Sequence, residues 1–176
     1  NFNKVSVLAP FIAICALFVF GLILSLRSYV GIGIVECRCS SINNLNKDVI
    51  LLELKQVGDR NIESINGQYI YLRLKKFGAA HPFSILMQTD NSIYLGIKKF
   101  GKFTNKLANL KTNTQIWIDG PYGEFTQNIE KSGSSILFAA GIGITPFINN
   151  LTKLNNSILF FSNQNQDTAV FIKTLR

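Results

Sequence analysis

Hydrophobic residues fall first in one unbroken block. From Val5 to Leu26 the chain reads VSVLAPFIAICALFVFGLILSL without a charge. A helix of 22 residues rises about 33 Å, enough to cross the hydrocarbon core of a bilayer. The run is longer than the apolar region of a signal peptide, and no A-x-A-like site stands before the polar sequence, so a transmembrane helix is expected rather than a leader or a buried core helix. Pro10 lies near one end, where a helix tolerates it, and Cys15 reads as a small packing residue.

Beyond Leu26 the period changes. Ile32 to Cys39, Val49 to Gln56, Ile70 to Leu74, Ile93 to Ile97 and Ile116 to Ile118 are short, rich in β-branched or aromatic residues, and separated by Asn, Gly, Asp and Lys clusters, the signature of strands. In Tyr69-Ile70-Tyr71-Leu72-Arg73-Leu74-Lys75 aliphatic residues alternate with polar or amphipathic ones, so one face of that strand is buried. Five or six such strands predict an antiparallel barrel, with a helical turn from Thr104 to Leu110 where Leu107 and Leu110 recur at helical spacing.

After Gly120 the pattern changes again. Ser134 to Ala140 is a continuous apolar run that predicts a strand buried on both faces. The turn Gly141-Ile142-Gly143-Ile144-Thr145-Pro146 follows, with Thr145 as an expected N-cap and Pro146 at the first position of a helix reaching about Leu154. Such a helix would aim its free amides at the turn, where phosphate is attracted. A strand from Ser157 to Phe161 and a helix starting near Thr168 would complete one βαβ unit and little more. So small a parallel sheet leaves apolar faces uncovered, which predicts a domain incomplete here or completed elsewhere. The expected organisation is a transmembrane helix and flank over 1–30, a β-barrel over 31–128 and the beginning of an α/β domain over 129–176. A chain starting at Asn1 rather than Met reads as a processed product or a fragment.

Composition sharpens this picture. Charged residues make up 16% of the chain and hydrophobic ones 47%, against about 25% charged in an ordinary soluble domain, and the helix supplies the dilution. Disordered and collagen-like classes are excluded. Three cysteines and one histidine give neither a disulfide framework nor a zinc ligand set, so no metal site is expected. The net charge is +8, from 18 Lys and Arg against 10 Asp and Glu. Solvated lysines, an anionic membrane surface or a phosphate-bearing ligand each account for it. Nucleic acid is not expected, because no recognition helix or stacked-aromatic motif accompanies the charge. Lys4 alone precedes the span whereas Arg27, Arg38 and Lys47 follow it, which places the soluble part in the cytoplasm.

The glycine turn alone is weak evidence, since Gly141-x-Gly143 lacks the third glycine of the dinucleotide fingerprint. Its place in an order of motifs is stronger: Gly67-Gln68-Tyr69, His81-Pro82-Phe83-Ser84-Ile85, Lys98-Lys99-Phe100-Gly101-Lys102-Phe103-Thr104, Asp119-Gly120-Pro121-Tyr122-Gly123, and then the turn. Over about residues 30–175 this set resembles the ferredoxin reductase-like flavoproteins and, within them, the membrane ferric reductases and NADPH oxidases. The resemblance implies a barrel that binds FAD, a Rossmann-like α/β domain that receives NAD(P)H, and a preceding helical bundle that carries haem.

Residue by residue, the resemblance implies that Ser84 hydrogen-bonds the flavin near N5 as the residue closest to the chemistry, and that Phe83 offers its ring to the flavin, core packing being the alternative. Pro82 fixes the strand beside them, with a sheet edge or bulge facing the ligand. His81 stands where the soluble branch carries an arginine against the FAD pyrophosphate, so hydrogen bonding takes the place of full charge. Lys99, Gly101 and Thr104 fall in the pyrophosphate-contacting stretch, Lys102 being the alternative source of charge, and Gly120 to Gly123 in the turn joining two domains. Gly141, Gly143, Thr145 and Pro146 match the loop for the nicotinamide nucleotide, with Ala140 where the family form has a glycine. The family's Cys-Gly segment, its 2′-phosphate-reading residues and its C-terminal aromatic would lie beyond Arg176. Cys37 and Cys39 precede the FAD motif and cannot be that cysteine. The span contains no histidine, so haem ligands would come from helices upstream. The expected activity carries electrons from NAD(P)H through FAD toward membrane haem and an acceptor such as ferric iron or dioxygen. The alternatives are an anchored reductase serving a soluble iron–sulfur or haem partner, and a barrel that binds no cofactor and acts by docking.

Overall fold

The charge-free block folds as one helix, α1 (Lys4–Val30). Within it Leu8–Leu26, 19 residues with none of them buried, is long and apolar enough to cross a membrane. The computed structural model describes residues 4–30, 33–58, 62–131, 134–151 and 156–163, and the chain divides into two compact units, Asn1–Gly33 and Ile34–Arg176.

The second unit is built on six strands: β1 (Val35–Asn44), β2 (Val49–Gln56), β3 (Tyr69–Arg73), β4 (His81–Gln88), β5 (Ser92–Lys98) and β6 (Gln115–Tyr122). They close into an antiparallel barrel in the order β1-β2-β5-β4-β3-β6. Alternation along each strand fills the interior, as the period of two requires. Cys37, Ile50, Leu52, Leu54, Ile70, Leu72, Ile93, Leu95, Ile116 and Ile118 are all fully buried in one cluster, joined by Leu107, whose helix α2 (Gly101–Ala108) packs on the barrel. Burial first, and then the charge of Glu36, push the Cys37 thiol up to about 12; burial shifts Cys39 the same way. Both are core residues without thiolate chemistry.

Several boundaries differ from the sequence pattern, among them that of β6, which runs to Tyr122 rather than Ile118. β1 extends through the mostly polar segment Ser40 to Asn44, in which Ile42 alone packs against the core cluster, because its backbone pairs with β2 as far as Asn44↔Ile50, past a bulge between Cys39 and Ser41; its expected start at Ile32 lies outside the described residues. The helix expected at Thr104 begins instead at Gly101.

After α3 (Gln127–Lys131), β7 (Ile136–Ala140) and β8 (Ile158–Ser162) form a two-stranded parallel sheet. One face of it, through Ala139, Leu159 and Phe161, packs with Ile144, Val49 and Leu86. The other is open: Phe138 is 73% and Phe160 is 54% exposed, their rings stacked at 5.1 Å. β7 is therefore not buried on both faces, while the uncovered apolar face expected of so small a sheet is present. Between the strands the chain forms a 3₁₀ turn over Gly141–Phe147 and a short helix α4 (Ile148–Leu151). Thr145 is not an N-cap: it lies inside the 3₁₀ turn, with its hydroxyl donated to the Ile142 carbonyl at 3.0 Å, and Pro146 is likewise inside that turn. The expected helix end at Leu154 and the helix near Thr168 fall outside the described residues.

One carboxylate ties three strands together on the barrel's outer face. Glu53 accepts hydrogen bonds from Ser41 at 2.9 Å, from Ser92 at 3.1 Å and from Tyr94 at 3.1 Å. Burial would raise its pKa, but these bonds outweigh burial and hold the carboxyl below its usual range. The folded state therefore binds that proton more weakly than the unfolded chain. Its contribution to stability is present above about pH 4.3 and is lost as pH falls through the lowered folded value. Glu53→Gln is expected to flatten that part of the acid limb in thermal melts below about pH 4.3; an unchanged acid limb would remove this assignment.

Candidate functional site

Two glycine motifs far apart in sequence meet in space. Gly67 has φ +80°, and a Cβ there would lie 2.4 Å from both Oγ1 and Cγ2 of Thr126, so only glycine fits this turn. Thr126 itself donates to the Asn66 carbonyl at 2.5 Å. Gln68 accepts the Ile65 N–H at 2.9 Å and donates to the Gly123 carbonyl at 3.1 Å. The Gly67-Gln68-Tyr69 turn is thus clamped onto the segment following Gly120-Pro121-Tyr122-Gly123, which fixes where β3 starts relative to the end of β6.

At one end of β4 the basic residues gather. The His81 ring stacks on Phe103 with centroids 3.7 Å apart, and a cleft of about 290 Å³ lies between α2 and residues 74–80, lined by Leu74, Lys75, Gly78, Lys102, Phe103 and Lys106. α2 starts without a side-chain cap at Phe100 and without an acidic residue in its first turn, so its leading amides are available to an anion. Gly101 has φ +84° and open space where a Cβ would stand, which lets a ligand approach the backbone. Thr104 does not open α2, which starts at Gly101. Its hydroxyl accepts the Phe100 N–H at 2.6 Å and donates to the Phe100 carbonyl at 2.8 Å, closing the turn that leads into the helix. The backbone N–H of Lys99 donates to the Asp48 carbonyl at 2.7 Å, holding this turn to the end of the β1–β2 connection.

Farther along β4, strand register sorts its side chains. Ile70 pairs with Phe83 and Leu72 with His81, whereas Tyr69 pairs with Ser84 and Tyr71 with Pro82. Cross-strand partners share a face, and Ile70 and Leu72 point into the barrel. Phe83 accordingly packs against the core cluster while remaining only partly buried, 6.2 Å from Phe103. Ser84 and Pro82 stand on the outer face with Tyr69 and Tyr71. Tyr122 joins them, its ring 6.0 Å from Tyr69 and 5.9 Å from Tyr71, while Tyr69 and Tyr71 are 5.6 Å apart. The Tyr122 hydroxyl donates to Asp119 at 2.7 Å, and Asp119 and Arg73 form a buried ion pair at 3.8 Å. The hydrogen bond with Tyr71 first, then burial, hold the Tyr69 hydroxyl above its ordinary pKa.

The glycine turn after β7 lies along the same strand. Ile144 packs with Val49 and Leu86, Asn149 donates to the Leu86 carbonyl at 2.6 Å, and Asn66 donates to buried Asn150 at 2.6 Å. No atom lies within 4 Å of where a Cβ would sit on Gly141 or Gly143. The structure therefore divides the sequence-derived residues in two. His81, Lys99, Gly101 and Thr104 gather around α2, and Ser84 with Pro82 lies on the outer face of β4, next to the strand position against which the turn packs. The sequence motifs contained Tyr69 and Tyr122 without grouping them, and the Asp119–Arg73 pair was not anticipated; the signal was the alternation of residues 69–75, which puts Tyr69, Tyr71 and Arg73 on one face. Among the described residues, no group of three or more His, Cys, Asp or Glu side chains is placed to hold a metal.

A sequence profile described as an FAD-binding domain matches residues 34–126, the barrel and just over half of the chain. The chain belongs to the FAD-binding domain family. Among curated relatives of this FAD-binding chain, a probable dihydroorotate dehydrogenase B (NAD(+)) electron transfer subunit of Pyrococcus abyssi is 39% identical over 50% of this chain and 33% of its own length. A superoxide-generating NADPH oxidase heavy chain of Dictyostelium discoideum is 32% identical over 61% of this chain and 19% of its own. The chain thus spans less than half the length of these relatives. The ferredoxin-NADP+ reductase of Plasmodium falciparum superposes with a TM-score of 0.67 at 21% identity, covering 81% of this chain and 63% of that one, a likeness of fold. The ferredoxin reductase-like barrel expected from the motifs is the fold observed.

Proposed function

We propose that this FAD-binding chain is the flavin-carrying part of a membrane oxidoreductase that moves electrons from NAD(P)H through FAD toward membrane haem and an acceptor such as ferric iron or dioxygen. The observation that carries the reading is the placement along one strand, β4, of an anion-receptive end at α2, an outer face bearing Ser84 and tyrosines, and a glycine turn packed against Leu86. FAD, when bound, accepts a hydride's two electrons and releases them one at a time. This chain's residues bind and orient. Lys99, Lys102, His81 and the first amides of α2 would hold the pyrophosphate, with Gly101 allowing close approach. Ser84 would hold the reactive edge of the ring by a hydrogen bond. Gly141 and Gly143, with Thr145 and Pro146 shaping their turn, would receive the nicotinamide nucleotide as the beginning of a Rossmann-like domain. Leu8–Leu26 would anchor the protein, with Arg27, Arg38 and Lys47 keeping the barrel in the cytoplasm.

A second reading has a specific observation behind it. The identity to the electron transfer subunit, 39%, exceeds the 32% to the oxidase heavy chain, which favours delivery to a separate protein partner rather than to haem in the same chain. Anaerobic titration of the FAD-loaded protein with NADPH or NADH tests the shared part. Bleaching of the flavin band is expected, about three- to tenfold slower in Ser84→Ala, the equivalent of one lost hydrogen bond. A flavin that is retained but never bleached would leave an FAD-binding module without this activity.

A further inference from the structure

Resting on the membrane reading above, we infer that the end of the barrel carrying residues 74–80 and 98–101 docks on an anionic lipid surface, with Phe77 and Phe100 entering its headgroup layer. The tetrapeptide Lys-Lys-Phe-Gly occurs twice, at 75–78 and at 98–101. Alternation of the antiparallel strands puts the connection after β3 and the connection after β5 at the same end of the barrel, on either side of β4. Phe77 is 64% and Phe100 is 87% exposed. One exposed phenylalanine alone needs no explanation. Two of them, in a repeated basic motif at one end, form the pairing of aromatic and cationic side chains that sits at a bilayer interface.

Both tips are set before they meet a surface. The Gly78 N–H donates to the Lys75 carbonyl at 2.8 Å, which makes Lys76 and Phe77 the centre of a closed turn, and the Lys76 ammonium lies 5.7 Å from the Phe77 ring centroid. The Phe100 N–H donates to the Thr104 hydroxyl at 2.6 Å. Lys98 and Phe100 are exposed whereas Lys99 between them is half-buried, so the side chains turned to solvent here are distinct from the lysine assigned to the pyrophosphate. Charge names the occupant. The connections at this end, 45–48, 74–80 and 99–114, hold seven lysines against one carboxylate, Asp48, while Glu63 and Asp90 lie in connections at the opposite end. Among the described residues none of these lysines forms an ion pair. A positive end with exposed aromatic tips complements anionic headgroups, and an anchor at Leu8–Leu26 would hold the bilayer at high effective concentration.

The test places the full chain in lipid nanodiscs made from brominated phosphatidylcholine, with and without phosphatidylserine, and reads tryptophan emission. Trp117 is the only native tryptophan and supplies the reference. Phe77→Trp and Phe100→Trp are each expected to add an emission that the bromine quenches in discs containing phosphatidylserine, and that returns in neutral discs or at high salt. Adding Lys76→Gln and Lys98→Gln to Phe77→Trp is expected to weaken docking by about fivefold per charge removed. A chain that co-elutes with the discs while both new tryptophans emit as they do over unbrominated lipid would overturn this inference, leave the anchor standing and point to an acidic protein as the occupant. Quenching indifferent to phosphatidylserine and salt would overturn it as well, because anionic headgroups would then have no part in holding the tips. A folded chain that never enters the discs would overturn the membrane reading itself.

Discussion

Gly67→Ala lowers the melting temperature of the barrel by about 4–20 °C. Holding a non-glycine residue in the left-handed region costs roughly 1–2 kcal/mol, and crowding a Cβ into an occupied site costs about 1–3 kcal/mol more. At about 2–4 °C per kcal/mol for a protein of this size, those two terms set the range. The neighbour is identified: Oγ1 and Cγ2 of Thr126 at 2.4 Å, with its Cβ at 2.8 Å. Thr126→Ala in the Gly67→Ala background should recover only part of the loss, since the threonine Cβ position and the positive φ both remain. A Gly67→Ala protein that melts with the wild type would show that the turn is not clamped as described. Because β3 starts two residues later, the same variant should also displace Tyr69.

The second large effect is on ligand affinity. Lys99→Ala combined with Lys102→Ala is expected to weaken FAD by about tenfold or more, since a hydrogen bond to a charged group contributes about 1.5–3 kcal/mol. Raising the ionic strength should weaken the wild type further than the double variant, which has lost the charges that salt screens. Lys55→Ala is the control: it lies on β2 beside Ser92, at the opposite end of the barrel from α2. Isothermal titration at two salt concentrations decides the matter. Equal affinity in the double variant and the wild type would remove the lysines from the site.

How much of this was legible in the sequence depended on whether a side chain or the backbone decided the structure. β2 was readable residue for residue, because VILLELKQ carries its burial in its pattern. The last residues of β1 were not, since Ser41 to Asn44 join the sheet by backbone pairing past a bulge, and Ile42 is the single apolar side chain there to announce it. Thr145 looked like a helix cap and Thr104 like the first residue of a helix, yet each hydroxyl bonds back to a carbonyl three or four residues earlier, a local alternative always open to threonine. Within the site, the composition of His81 to Ser84 was informative but its facing was not. The partners that sort Phe83 from Ser84, Ile70 and Tyr69, lie on another strand, and their register is set by the Gly67 turn. The stacking of His81 on Phe103 joins residues 22 positions apart and follows only from closure of the barrel.

Flavin retention by the purified chain is the most direct test of its FAD-binding function. The purified, detergent-solubilised protein is incubated with FAD, freed of excess by gel filtration, and its visible absorbance recorded beside His81→Ala and Ser84→Ala. A flavin spectrum is expected to co-elute with the folded chain and to be diminished in both variants. A folded barrel that elutes colourless would contradict it.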